Sequence, residues 1–114
     1  MSKELTIVTP VYNEEDNLDR VHKELSAYIQ NAKVDTQVLF VNDGSSDDSL
    51  SKIKDICEKD SDFHYISFEK NAGLSAAISA GFKSCTTTYV GYIDADLQTN
   101  PEDFNLLLEH IKDY

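Results

Sequence analysis

Four short apolar runs alternate with stretches of helical periodicity along this chain, and that alternation restricts its fold more than any other feature. Residues 5–8, 37–41, 63–68 and 89–93 are rich in β-branched and aromatic side chains, the composition of strands. Residues 14–29 place Leu18, Val21, Leu25, Tyr28 and Ile29 at helical spacing between charges. A second helix is expected after the turn residues Asp43, Gly44, Ser45 and Ser46, with Leu50, Ile53, Ile56 and Cys57 inward. A third carries Leu74, Ala77, Ile78, Gly81, Phe82 and Cys85, whose small members permit close approach to a sheet. Asn100, Pro101, Glu102 and Asp103 form a helix start, followed by Phe104, Leu107, Leu108 and Ile111. Strict β-α-β-α-β-α-β-α order with helical crossovers predicts an α/β fold, a Rossmann-like parallel sheet with helices on both faces. The run 37–41 is almost continuously apolar, which suits a central strand buried on both sides.

Ligands of such sheets bind beyond the carboxyl ends of the strands, and there the polar residues gather. Pro10, Tyr12, Asn13 and Glu14 follow the first strand, with Pro10 expected to end it and Asn13 to cap the next helix. Asn42, Asp43 and Gly44 follow the second strand, Lys70, Asn71 and Gly73 the third, and Asp94, Asp96 and Gln98 the fourth. Tyr12 is placed to stack on a flat base. Asp43 reads either as a cap for the next helix or as an acceptor for a base N–H or ribose hydroxyl. Lys70 and the helix start after it suit an anion. Asp94 and Asp96, spaced i, i+2 in extended chain, point the same way, and two like charges so close are costly without a cation between them. An all-oxygen set of Asp94, Asp96 and Gln98 suits Mg²⁺ or Mn²⁺.

Counting removes one rival. An EF-hand starting at Asp94 would need Gly and Glu where Thr99 and Asn105 stand. A phosphatase with an Asp-x-Asp nucleophile normally has Thr where Gln98 stands, so that reading is weak. Neither GxGxxG nor a P-loop is present. The formal net charge of −11 argues against a nucleic-acid partner. Cys57 and Cys85 lack metal-ligand spacing, which favours a reduced, cytoplasmic chain. No apolar run reaches 18 residues, and no signal-peptide core opens the sequence. His22, His64 and His110 stand apart from any Ser or Cys constellation and read as structural or surface residues.

Taken as an ordered set, four segments resemble the family 2 glycosyltransferases of the GT-A fold: 7–15 (IVTPVYNEE), 41–47 (VNDGSSD), 70–77 (KNAGLSAA) and 92–101 (YIDADLQTNP). The Asp-Ala-Asp-Leu-Gln form is similar to the polyprenyl-phosphate branch, which includes dolichyl- and undecaprenyl-phosphate sugar transferases. The resemblance implies that Pro10, Tyr12, Glu14, Val41 and Asp43 hold the nucleoside of a UDP- or GDP-sugar, with Asn13, Lys70 and Gly73 in the same nucleotide-sugar site. Asp94 and Ala95 would then lie along the ribose and diphosphate, and Asp96, Gln98 and Asp94 would hold Mg²⁺ or Mn²⁺. It further implies an inverting transfer, with a polyprenyl phosphate as acceptor and the whole protein at the cytoplasmic face of a membrane. Such catalytic domains run to roughly twice this length, so residues 1–114 are read as the donor-binding half, not competent for turnover alone and without an identifiable catalytic residue. An unfinished sheet would also leave a surface through which copies could associate as a homo-oligomer. The alternative reading is a non-catalytic nucleotide- or protein-binding α/β module.

Overall fold

The computed structural model describes residues 3–93, and within them the expected alternation is realised. β1 (Leu5–Val11), α1 (Leu18–Asn31), β2 (Thr36–Asp43), α2 (Ser49–Lys59), β3 (Phe63–Phe68), α3 (Leu74–Ser84) and β4 (Tyr89–Tyr92) follow in order. The four strands form one parallel sheet in the order β3-β2-β1-β4. The strand order reverses between β1 and β4, so the crevice at their carboxyl ends is where a ligand is favoured. The helix expected from Asn100 onward lies outside the described residues.

Both faces of the sheet are covered, and the period of two along each strand decides which side chain goes where. Leu5, Ile7 and Val11 of β1 join Val38, Phe40 and Phe63 under α1 and α2. Val8 and Val41 point the other way and meet Ala77 of α3. Phe40 and Phe63 stack with ring centroids 5.8 Å apart, and each fully buried ring of this kind contributes about 1.5–3 kcal/mol. On the opposite face, a Cβ added at Gly81 would sit 2.5 Å from Val8 Cγ1. The small residues of α3 are therefore what lets the helix lie close on the sheet.

Three of the boundaries that differ from expectation lie where ligands of such sheets bind. β1 runs through Pro10 to Val11 instead of stopping at Thr9. The carbonyls of Glu4 and Val8 accept from Tyr89 and Ile93 on the β4 side, so even-numbered residues of β1 face that strand. Pro10 is the next in that series and has no N–H to give. Among the described residues the pairing with β4 ends at Val8–Tyr92, while that with β2 continues through Pro10–Val41 and Val11–Asn42. β2 likewise carries Asn42 and Asp43 inside the strand. α1 begins at Leu18 instead of Glu14, because Asn13 is left-handed at φ 54° and the Glu14 carbonyl first closes a turn onto the N–H groups of Asn17 and Leu18.

Candidate functional site

At the carboxyl ends of β1 and β2 a cavity of about 370 Å³ opens, lined by Pro10, Val11, Tyr12, Glu14, Asp43, Asn71, Gly73 and Leu74. Five of the sequence-predicted residues thus meet in one wall: Pro10, Tyr12, Glu14, Asp43 and Gly73. Tyr12 and Leu74 are half exposed, at 49% and 55%, so an aromatic ring and an apolar side chain are available to a flat ligand. Glu14 accepts a hydrogen bond from Asn17 Nδ2 at 2.7 Å through one carboxylate oxygen.

Asp43 is buried at 4% exposure, and its carboxylate is already engaged. Oδ1 accepts from the Ala72 N–H at 2.7 Å, and Oδ2 accepts from the Gly73 N–H at 3.1 Å and from Asn71 Nδ2 at 3.0 Å. The same Asn71 nitrogen donates to the Asp43 carbonyl at 3.1 Å. Asp43 therefore does not cap α2; it holds the β3–α3 loop through the N–H groups of Ala72 and Gly73, the two residues that precede α3. Asn71 lines the cavity, and with its amide nitrogen donating to Asp43 its side-chain oxygen remains an acceptor. The join is tight: a Cβ on Gly44, at φ 67°, would collide with the backbone of Lys70 and Asn71.

Other expected site residues stand elsewhere. Val41 is fully buried under α3, so its side chain is core and not cavity wall. Lys70 is exposed and does not line the cavity. Asn13 is exposed, caps no part of α1, and turns its side chain to the β2–α2 loop. Asp94, Ala95, Asp96 and Gln98 lie outside the described residues. Among the described residues, no group of three or more His, Cys, Asp or Glu side chains could hold a metal ion. The chain leaves the described region at Ile93, whose N–H donates to the Val8 carbonyl at 3.0 Å, on the strand beside the cavity.

Two features escaped the sequence reading. Asn71, Val11 and Leu74 complete the cavity wall; Asn71 stood in a noted loop, but nothing in its neighbours told that its amide would turn to Asp43. The β2–α2 loop, read only as turn and cap chemistry, binds the β1–α1 loop. Asp47 sits at that join. Partial burial pushes its carboxyl up, but hydrogen bonds from the Ser49 hydroxyl and from the Ser49 and Glu15 N–H groups outweigh this and hold it below its ordinary 3.8. The histidine reading agrees with the structure where it is described: His22 meets the Phe63 ring edge-on at 4.8 Å and bonds Asp60 at 3.2 Å. Burial, and secondarily the Asp60 charge, push the Cys57 thiol up to about 11, which leaves it unreactive.

The family model for glycosyl transferase family 2 matches residues 6–114. This chain belongs to that family. It is 42% identical over 110 residues to the provisionally named glycosyltransferase CsbB of Bacillus subtilis (strain 168), a match covering 96% of this chain and 32% of that protein. It is 37% identical over 105 residues to the undecaprenyl-phosphate 4-deoxy-4-formamido-L-arabinose transferase of Pseudomonas fluorescens (strain Pf0-1), covering 91% of this chain and 31% of the relative. The chain thus spans about a third of the length of the curated relatives it matches. Among solved structures it resembles the mannosyltransferase PcManGT of Pyrobaculum calidifontis, in complex with GDP-Man and Mn²⁺, with a TM-score of 0.71, 20% identity and coverage of 84% of this chain and 28% of that one. S. aureus TarS 1-349 in complex with UDP gives a TM-score of 0.65 at 21% identity, covering 82% and 27%. At those identities the likeness is one of fold. Family and fold together make the family 2 glycosyltransferase domain a GT-A-like α/β sheet, as the sequence implied.

Proposed function

We propose that this chain supplies the donor half of an inverting, metal-dependent glycosyltransferase, its cavity holding the nucleoside of a UDP- or GDP-sugar. The observation that carries this reading is the convergence of Pro10, Tyr12, Glu14 and Asp43 on one cavity at the carboxyl ends of β1 and β2. Its chemistry suits a nucleoside and not a phosphate. Tyr12 offers a stacking face, while Glu14, Asp43 and the Asn71 carbonyl offer acceptors for ribose hydroxyls and base N–H groups. Two carboxyl side chains in the wall would repel a diphosphate, which is favoured beyond the cavity, toward the strand end that precedes Asp94.

There a divalent cation, Mg²⁺ or Mn²⁺, held by Asp94, Asp96 and Gln98, would offset the diphosphate charge and stabilise the departing nucleoside diphosphate. The chain's own described residues bind and orient; none is assigned a proton transfer. A polyprenyl phosphate is the acceptor class that fits best, in keeping with the name of the Pseudomonas relative. Such an acceptor is already an anion and needs little help from a base. No helix among the described residues is long and apolar enough to cross a membrane.

Calorimetric titration with UDP and GDP, with and without Mn²⁺, tests the reading. Tyr12→Ala is expected to weaken nucleotide affinity about 5- to 100-fold, the range that base stacking supports. Asp96→Ala is expected to abolish the metal dependence. Binding that ignores both substitutions would sink the assignment.

A further inference from the structure

The residue between Tyr12 and Glu14 does not line the cavity, yet it makes four hydrogen bonds to the β2–α2 loop. Asn13 donates its backbone N–H to Ser45 Oγ at 3.0 Å. Its side-chain Oδ1 accepts from the Ser46 N–H at 2.8 Å, from Ser46 Oγ at 3.3 Å and from the Asp47 N–H at 3.4 Å. The next two residues continue the seam, the Glu14 N–H donating to Ser49 Oγ at 2.9 Å and the Glu15 N–H to Asp47 Oδ2 at 3.3 Å. Every one of these bonds joins the β1–α1 loop to the β2–α2 connection and the first residue of α2.

We infer that Asn13 is a positioning residue of this site, clamping the two loops together and so fixing where Tyr12 and Glu14 stand on the rim. Its backbone supports that assignment. At φ 54° it is left-handed, a conformation that is strained for most residues but that Gly, Asn and Asp adopt readily. Gly would satisfy the backbone and supply no acceptor; Asn supplies both. The left-handed turn swings its side chain onto the Ser46–Asp47 backbone, while Tyr12 before it and Glu14 after it line the cavity. Without the clamp, a half-exposed Tyr12 would have more orientations to lose on binding a base. The consequence for binding rests on the nucleoside reading above; the clamp itself does not.

Asn13→Gly separates the two roles of the residue, because it keeps the turn and deletes the acceptor. Asn13→Asp is the conservative control, since Asp also tolerates the turn and retains an accepting oxygen. The measurements are residue-resolved amide hydrogen exchange, thermal unfolding, and titration with UDP and GDP in the presence of Mn²⁺ and physiological salt. In Asn13→Gly, exchange is expected to rise about tenfold at Ser46 and Asp47, and also across the seam at Glu14 and Glu15. Nucleotide affinity should fall about tenfold, with protection of β1 and β2 unchanged. Asn13→Asp should recover both to within about threefold. Faster exchange confined to Ser46 and Asp47 would overturn the clamp. So would a wild-type affinity in Asn13→Gly, or a loss in affinity matched by loosening of the whole sheet. If the unaltered chain bound neither nucleotide, the nucleoside reading would fall, and exchange at Glu14 and Glu15 would still decide the clamp.

Discussion

At the scale of single residues, two glycines at positive φ invite comparison. Gly44 and Gly73 are both at positive φ, 67° and 99°, so any side chain is strained at either. Their surroundings differ. A Cβ at Gly44 would run into the backbone of Lys70 and Asn71, whereas one at Gly73 would meet nothing within 4 Å. Gly73→Ala, at φ 99° and ψ 161°, is expected to cost about 1–3 kcal/mol in urea unfolding, the backbone penalty alone. Gly44→Ala must also push the β3–α3 loop away from the end of β2, and is expected to cost about 3–4 kcal/mol. Equal losses would mean that the loop yields freely and that the close approach is not enforced. Gly44 was legible in the sequence as a turn glycine. Its contact partners, far along the chain, were not, because no local pattern records which loops share a sheet edge.

At the scale of elements, Asp43 links the end of β2 to the start of α3. Three donors, the N–H groups of Ala72 and Gly73 and the amide of Asn71, converge on a carboxylate that is almost fully buried. Asp43→Ala would leave those donors without their acceptor, at an expected cost of about 2–4 kcal/mol. Amide exchange at Ala72 and Gly73 should rise while that of α1 is unaffected, and unchanged protection at Ala72 and Gly73 would refute the link. The substitution would also lower nucleotide affinity if α3's first turn shifts the cavity wall. Affinity loss at Asp43 therefore has to be read beside the unfolding curve before it is taken as a lost ligand contact. The sequence offered cap and ligand contact as alternatives for this residue. The structure makes it the anchor of the β3–α3 loop, and three accepted bonds leave about one of the carboxylate's four acceptor positions for a ligand.

For the whole molecule, charge sets the sign of the salt response. The chain carries 21 acidic and 10 basic residues, a formal net charge of −11. Salt weakens both its ion pairs and its self-repulsion. The pairs in question, Lys3–Asp62 and Lys52–Asp19, are exposed or part exposed at the surface, where solvent screens such bridges and they contribute little. Repulsion among the unbalanced acids is the stronger of the two effects. Raising NaCl from about 10 to about 200 mM is therefore expected to raise the thermal midpoint by a few degrees, measured by differential scanning fluorimetry. A fall would show that the ion pairs outweigh the repulsion.

The sequence by itself determined the order of elements, the parallel sheet, the two-sided burial of β2, and the set of loops that would carry the chemistry. It could do so because hydrophobic periodicity is a local signal: a period of two or of 3.6 is carried by consecutive residues. Pro10, Tyr12, Glu14, Asp43 and Gly73 were legible for the same reason, each standing at or just past the end of a recognisable strand or just before a helix. Tertiary structure alone decided what those residues do to one another. It put the Val41 side chain in the core, left Lys70 off the cavity wall, turned Asn71 onto Asp43, and gave Asn13 to the β2–α2 loop. Those outcomes depend on which loops the β3-β2-β1-β4 order brings side by side, and on donors and acceptors distant in the chain finding each other across a strand spacing of roughly 5 Å.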